Sequence, residues 1–289
     1  MTESPSIPGM PKVIMHADDF GLSFGTNEAI VDAHLRGMVT STSVIATLPA
    51  FEDAARRIAD LPKLGVGAHL CLNLGRPVAP PSKVALLLDS NGLFKYSFGF
   101  HLYHSLSRDY LRQVAIEVEA QLMKMVGRGI DLDHVSSQMH IHMIPRIRDV
   151  IMEVSEEFRI PHVRHAVEPW TGHPSLGRPV NILKCLTVAG FASLRPGLRS
   201  EVKFLGLRHS GRLTVERLEH YLSTLKPGIW EIVVHPGTGW FDGDPNVYGA
   251  IEDYIRLKHR RIEWKALTST RLNAVAEALG IEFARFSDI

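Results

Sequence analysis

Only two cysteines, Cys71 and Cys185, occur in 289 residues. They lie far apart in apolar surroundings, which argues against a disulfide framework and predicts two buried thiols in a reducing compartment. No segment reaches the roughly 18 uninterrupted apolar residues of a membrane span. The opening Met1-Thr2-Glu3-Ser4-Pro5 has no basic region leading into an apolar core, so a cytoplasmic protein without an integral membrane segment is expected. An excess of one charge is lacking too. The formal net charge is +1, and no basic stripe interleaves with aromatics, so nucleic acid is not implied as a partner. Internal repeats, low-complexity tracts and a linker are absent, and residues 1–289 read as a single domain.

With 45% hydrophobic and 22% charged residues, a chain of this length can bury a core of barrel size. The run Val13-Ile14-Met15-His16-Ala17 ends in Asp18-Asp19-Phe20-Gly21. It reads as a buried strand delivering two carboxylates to the carboxyl edge of a sheet, where open α/β folds and barrels place their chemistry. A helix is expected from Gly25 to Arg36, a strand at Thr42–Ala46, a helix at Phe51–Asp60 and a strand at Gly65–Leu70. This β-α-β-α-β order predicts a parallel sheet with right-handed crossovers.

From Gly75 to about Ser107 periodicity fails among scattered prolines and glycines, and this stretch reads as an irregular, lid-like insertion. Its apolar residues from Phe94 to Leu106 are available to cover substrate or a second copy of the chain in a homodimer. A helix follows at Asp109–Val126, a strand at Asp133–Ser137, a helix after Pro145, a short strand at His162–Arg164 and a strand at Ile229–Val234. Helices are expected near Thr214–Leu225, Val247–Lys258 and Ser269–Leu279, whereas Trp170–Leu207 shows no period.

Histidines stand where strands end, in Ala68-His69-Leu70, in Ser136-Ser137-Gln138-Met139-His140-Ile141-His142 and in Val234-His235-Pro236. An extended chain through the second segment would put Ser136, Gln138, His140 and His142 on one face. Carboxylate and imidazole are the usual ligands of a hydrolytic divalent metal, so strand ends carrying both toward one rim point to a common site. Trp230 and Trp264 read as core, while Trp240 and Trp170, in loops, are candidates for stacking on a sugar. Asp242 and Asp244 are too few for a calcium loop.

The succession Ala17-Asp18-Asp19-Phe20-Gly21, Val39-Thr40-Ser41-Thr42-Ser43, Gly67-Ala68-His69-Leu70, the histidine-rich segment, Val163-Arg164 and His235-Pro236-Gly237 resembles the YdjC-like carbohydrate deacetylases. That group includes chitooligosaccharide deacetylases and hopanoid-biosynthesis-associated deacetylases, and Phe204–Gly211 is similar to the latter. The resemblance implies an α/β fold, a distorted (β/α) barrel of the polysaccharide-deacetylase type, with one divalent metal ion, Mg²⁺ or Zn²⁺, at the carboxyl rim. It implies Asp18 as general base, Asp19 and His69 as metal ligands, His235 as the acid that protonates the leaving amine, and Arg164 as the residue that holds Asp18 or touches substrate. The expected activity is metal-dependent removal of an acetyl group from an N-acetylated amino sugar or sugar conjugate, with His142, Trp170 and Trp240 as substrate contacts.

One departure stands out. Ser136 replaces an aspartate of the usual pattern, and Gln138 replaces the histidine that supplies the third ligand. Three outcomes are open: Gln138 coordinates through its amide oxygen, which suits a hard cation such as Mg²⁺; His140 swings in instead; or metal is bound poorly. The last would leave a non-catalytic sugar-binding or regulatory protein, and a hydrolase of another acyl amide is the remaining alternative.

Overall fold

The computed structural model describes residues 10–170, 176–195, 200–241, 243–248, 251–256 and 258–289. The opening residues Met1–Pro5 and Asp242, considered above, lie outside them. The strands are β1 (Pro11–Phe20), β2 (Ser41–Val44), β3 (Gly65–Leu70), β4 (His134–Ser137), β5 (His162–Val163), β6 (Val202–Leu205), β7 (Gly228–Val234) and β8 (Glu282–Phe283). The helices are α1 (Phe24–Leu35), α2 (Phe51–Ala59), α3 (Phe98–His104), α4 (Arg108–Val126), α5 (Pro145–Glu157), α6 (Pro179–Ser193), α7 (Val215–Thr224), α8 (Pro245–Tyr248), α9 (Ile251–Arg256), α10 (Lys258–Leu267) and α11 (Thr270–Ala278).

All strand pairs are parallel, in the order β5-β4-β3-β2-β1-β7-β6, with β8 beside the start of β1. The sheet curls into a distorted (β/α) barrel that stays open between β5 and β6 among the described residues. β1 is central, with Met15 opposite Ile232 of β7 and His16 opposite Ser41 of β2. Flanked on both sides, it is buried from Val13 to Phe20, which explains its continuous apolar run. The largest apolar cluster fills the space between sheet and helices and includes Val13, Met15, Val66, Val114, Ile147 and Ile232.

Because every strand runs the same way, Asp18, Asp19, Ser43, His69, Ser136, Arg164 and His235 arrive at one rim. The turn after β1 is tightly specified. Asp19 has φ 77° and Gly21 φ 91°, in the left-handed region that Asp tolerates and Gly favours. Asn27 Oδ1 accepts from Gly21 N at 2.7 Å. Ser23 then caps α1 by accepting from Thr26 N at 3.1 Å.

Several expectations are corrected. The stretch 75–107 contains two 3₁₀ turns and α3; Phe94 and His101 in it are buried while Tyr103 and Leu106 are exposed. The span 170–207 holds α6 and β6. α6 escapes the period because apolar Val180, Leu183 and Leu186 remain exposed while polar Asn181 is buried. Where it is described, the Val247–Lys258 span is helical as expected, in α8, α9 and the start of α10. α10 was hidden because Arg260 and Glu263 occupy its buried face. Finally, the alternation through 136–142 stops at Ser137: Gln138–Met143 form a 3₁₀ turn in which Met139 and His140 both have φ 55°, so side chains no longer alternate faces. Cys71 is buried, while Cys185 is half-buried rather than buried.

A Cβ at position 21 would lie 2.7 Å from Ile45 O. Gly21→Ala combines this clash with an unfavourable φ and should cost about 3 kcal/mol or more in urea unfolding. A loss below about 1 kcal/mol would show that the turn relaxes freely.

Candidate active site

The centre is a buried ionic knot. Arg164, just beyond β5, donates from Nη1 to Asp18 Oδ2 and from Nη2 to Asp18 Oδ1, both at 2.8 Å. Its Nε donates to Glu231 Oε1 of β7 at 2.8 Å. All three side chains are at most 3% exposed, so each charge depends on the others. Burial alone would push the Asp18 carboxyl up, but Arg164, with His69 and His16, more than reverses this and holds it well below the usual carboxylate range. Asp18 is therefore ionised near neutrality. His16, two residues back on the same strand face, sets Nε2 3.1 Å from Asp18 Oδ1.

Asp19 has its own cation. Arg260 of α10 donates from Nη1 to Asp19 Oδ2 at 2.9 Å. Burial would raise the Asp19 carboxyl, but Arg260, His235 and His69 lower it. Glu263, one turn along α10, accepts from His235 N at 2.7 Å and Gly211 N at 3.2 Å, holding the β7 exit in place. Burial pushes the Glu263 carboxyl up against these donors.

Three potential cation donors meet beside this knot. His69 Nε2 lies 3.2 Å from Gln138 Oε1 and 3.7 Å from Asp19 Oδ1. Ligands held about 2.1 Å from one small cation stand on the order of 3 to 3.5 Å apart; the His69–Gln138 separation falls in that range and the His69–Asp19 separation lies just beyond it, and an imidazole, an amide oxygen and a carboxylate are donors that a divalent ion accepts. Burial lowers the His69 pKa despite Asp18 and Asp19, favouring the neutral imidazole that coordination requires. No trio drawn from His, Cys, Asp and Glu alone is grouped this way among the described residues; the third donor is an amide. His140 is elsewhere on the wall, with ring neighbours His142 and Phe204. Burial, with Arg164 nearby, lowers its pKa to about 3.

Asp18, His69, Gln138, His140 and His235 share a cavity of about 380 Å³. His235 Nε2 is 3.8 Å from Asp18 Oδ2, so the two face one small volume. Among the described residues, His142, Trp170 and Trp240 do not line it. His142 is fully buried with Nδ1 2.6 Å from Ser137 Oγ. Trp170 is exposed beneath the Arg208 guanidinium, and Trp240 is exposed near Phe24. Sequence reasoning missed His16, Glu231, Arg260 and Glu263. A lone carboxylate inside Ile229-Trp230-Glu231-Ile232 was a readable signal for Glu231, since an apolar strand hides a charge only beside a partner; Arg260 and Glu263 had no comparable signal.

A model of the YdjC-like protein family matches residues 12–278. The chain belongs to the YdjC-like family. It is 31% identical over 279 residues to a carbohydrate deacetylase of Brevibacillus brevis, covering 96% of this chain and 99% of that protein. A carbohydrate deacetylase of Thermoanaerobacter pseudethanolicus is 29% identical over 227 residues, 78% of this chain and 81% of that one. A crystal structure of an Enterococcus faecalis protein, provisionally named for cellobiose-phosphate cleavage, superposes with a TM-score of 0.75 at 24% identity, covering 96% of this chain and 98% of that one. That likeness bears on the fold alone. No helix among the described residues is long and apolar enough to cross a membrane.

Arg164→Met would leave Asp18 and Glu231 buried without their cation and should cost about 3–5 kcal/mol. Adding Glu231→Gln should recover part of that loss in a double-mutant cycle, and strict additivity would deny the coupling. The folded Asp18 carboxyl titrates below its unfolded value of about 3.9, so its contribution to stability is full above roughly pH 5 and is withdrawn as pH falls through the folded value. Acid unfolding of Asp18→Asn should accordingly show a shallower dependence on pH below about 5.

Proposed function

We propose that this protein is a divalent-metal-dependent carbohydrate deacetylase that hydrolyses the acetamide of an N-acetylated amino sugar or sugar conjugate. The observation that carries this reading is the convergence, in one cavity, of Asp18 held by Arg164 with His235, His69 and Gln138, and with Asp19 next to His69. The names of the curated relatives support the substrate class. In this reading Asp19, His69 and Gln138 hold the cation, and the enzyme works in the cytoplasm.

A divalent ion bound there would act as a Lewis acid, polarising the acyl carbonyl and making a nearby water acidic. This suits Asp18, because a carboxylate held below its usual range is a weak base and accepts a proton readily only from an acidic donor. Arg164 fixes both Asp18 oxygens, so the base meets the water in one orientation. The water oxygen bonds to the carbonyl carbon and its proton passes to Asp18. The tetrahedral carbon then loses the C–N bond. An amine anion is too basic to leave near neutral pH, and His235 Nε2, facing Asp18 across the cavity, delivers the proton to the departing nitrogen. The products are a free amino sugar and acetate.

Acetate release measured across N-acetylated sugars, with and without a chelator, tests the reaction. Asp18→Asn should lower turnover by roughly 10²–10⁴-fold while keeping the metal. Asp19→Ala should lose both metal and turnover. Full turnover in Asp18→Asn would remove it as the base, and chelator-resistant acetate release would remove the metal from the mechanism.

A further inference from the structure

Two serine hydroxyls connect the candidate metal ligand His69 to the candidate base Asp18. Ser136 Oγ of β4 donates to Ser43 Oγ of β2 at 2.9 Å, and Ser43 Oγ donates to Asp18 Oδ1 at 3.1 Å. His69 Nδ1 lies 2.8 Å from Ser136 Oγ and 3.0 Å from Ser43 Oγ. His16 Nε2 stands 3.2 Å from Ser43 Oγ on its other side. All five side chains are buried.

Proton counting gives this run a direction. A hydroxyl has one proton to donate and an ionised carboxylate has none. Both Asp18 oxygens accept from Arg164, so Asp18 is an acceptor at Ser43, and the Ser43 proton is committed there. The Ser136 proton is committed to Ser43. The short contact between Ser136 and His69 is then filled by a proton on His69 Nδ1. A neutral imidazole has only that one proton, so Nε2 presents a lone pair toward Gln138 Oε1, 3.2 Å away. With Oε1 turned toward Nε2, two lone pairs face each other in a buried site beside the Asp19 carboxylate, an arrangement that a cation between them satisfies.

We propose that Ser43 and Ser136 are positioning residues, whose hydroxyls run a one-way sequence of hydrogen bonds from His69 Nδ1 to Asp18 and so fix the tautomer that offers Nε2 to the metal. This rests on the reading of His69, Gln138 and Asp19 as the metal's donors. A serine at 136 accepts from Nδ1, adds no second negative charge next to Asp18 and still donates to Ser43. Outer groups that orient a ligating imidazole in this way commonly change metal affinity by about 10–100-fold.

The test combines imidazole ¹⁵N NMR of the metal-free protein, with His69→Gln to assign the signal, and calorimetric titration with Mn²⁺ or Zn²⁺. The unaltered protein should show His69 protonated on Nδ1. Ser136→Ala should lose that preference and bind the ion roughly 10–100-fold more weakly, with its thermal midpoint little changed. Ser136→Asp, which still accepts from Nδ1, should keep the tautomer and most of the affinity; a purely structural hydroxyl would tolerate alanine better than a buried charge. An Nε2-protonated His69 in the unaltered protein, or a Ser136→Ala variant with tautomer and affinity intact, would overturn the proposal. Failure of the unaltered protein to bind any divalent ion would sink the deacetylase reading, while the tautomer of the metal-free protein still decides the serine bridge.

Discussion

A guanidinium that never meets water organises this molecule. Arg164 leaves the end of the two-residue strand β5 and reaches Asp18 of β1 and Glu231 of β7. Backbone pairing does not close the barrel between β5 and β6 among the described residues, so this ionic contact ties one edge of the sheet to its centre from the inside. Burying such a group is expensive, and a pair of this kind is a poor source of net stability compared with apolar packing. Its return is geometric. With both Asp18 oxygens and one Glu231 oxygen engaged, the carboxylate facing the cavity has little freedom left.

The same device is repeated one residue along. Asp19 is met by Arg260, so each of the adjacent carboxylates has a separate arginine delivered by a separate element. Two neighbouring anions in a dry site would otherwise drive one of them to take up a proton. Splitting the compensation in this way lets both stay ionised side by side. The groups His69, Gln138, Ser43 and Ser136 beside them add no negative charge of their own.

How much of this is legible in the chain depends on where each partner comes from. The strands β1, β3 and β7 are readable because continuous apolar runs end in Asp, His and His, and a parallel sheet brings such ends to one rim. The acid pair, His69, Arg164 and His235 follow from that logic together with the family pattern. What stays hidden is whatever looks like surface. Lys258–Leu267 has the composition of a solvated helix, yet Arg260 and Glu263 are among its buried residues, with Ala266 and Leu267. Leu183 and Leu186 suggest interior, yet they are exposed. The turn at Met139 and His140 carries no glycine to announce its left-handed backbone, so a period-two reading ran past the end of the strand and left Gln138 and His140 undivided.

The separation along the chain between each carboxylate and its arginine has a consequence for synthesis. Asp18 and Asp19 leave the ribosome early, whereas Arg164 follows 146 residues after Asp18 and Arg260 follows 241 residues after Asp19. At ordinary elongation rates the second interval lasts on the order of tens of seconds. Until Arg164 is made, the first strand ends in two ionised carboxylates without their cations, and from then until Arg260 is made Asp19 alone still lacks its partner; burying a charge in that condition is costly. A central strand docked before then would bury at least one carboxylate without the cation that accompanies it in the folded protein.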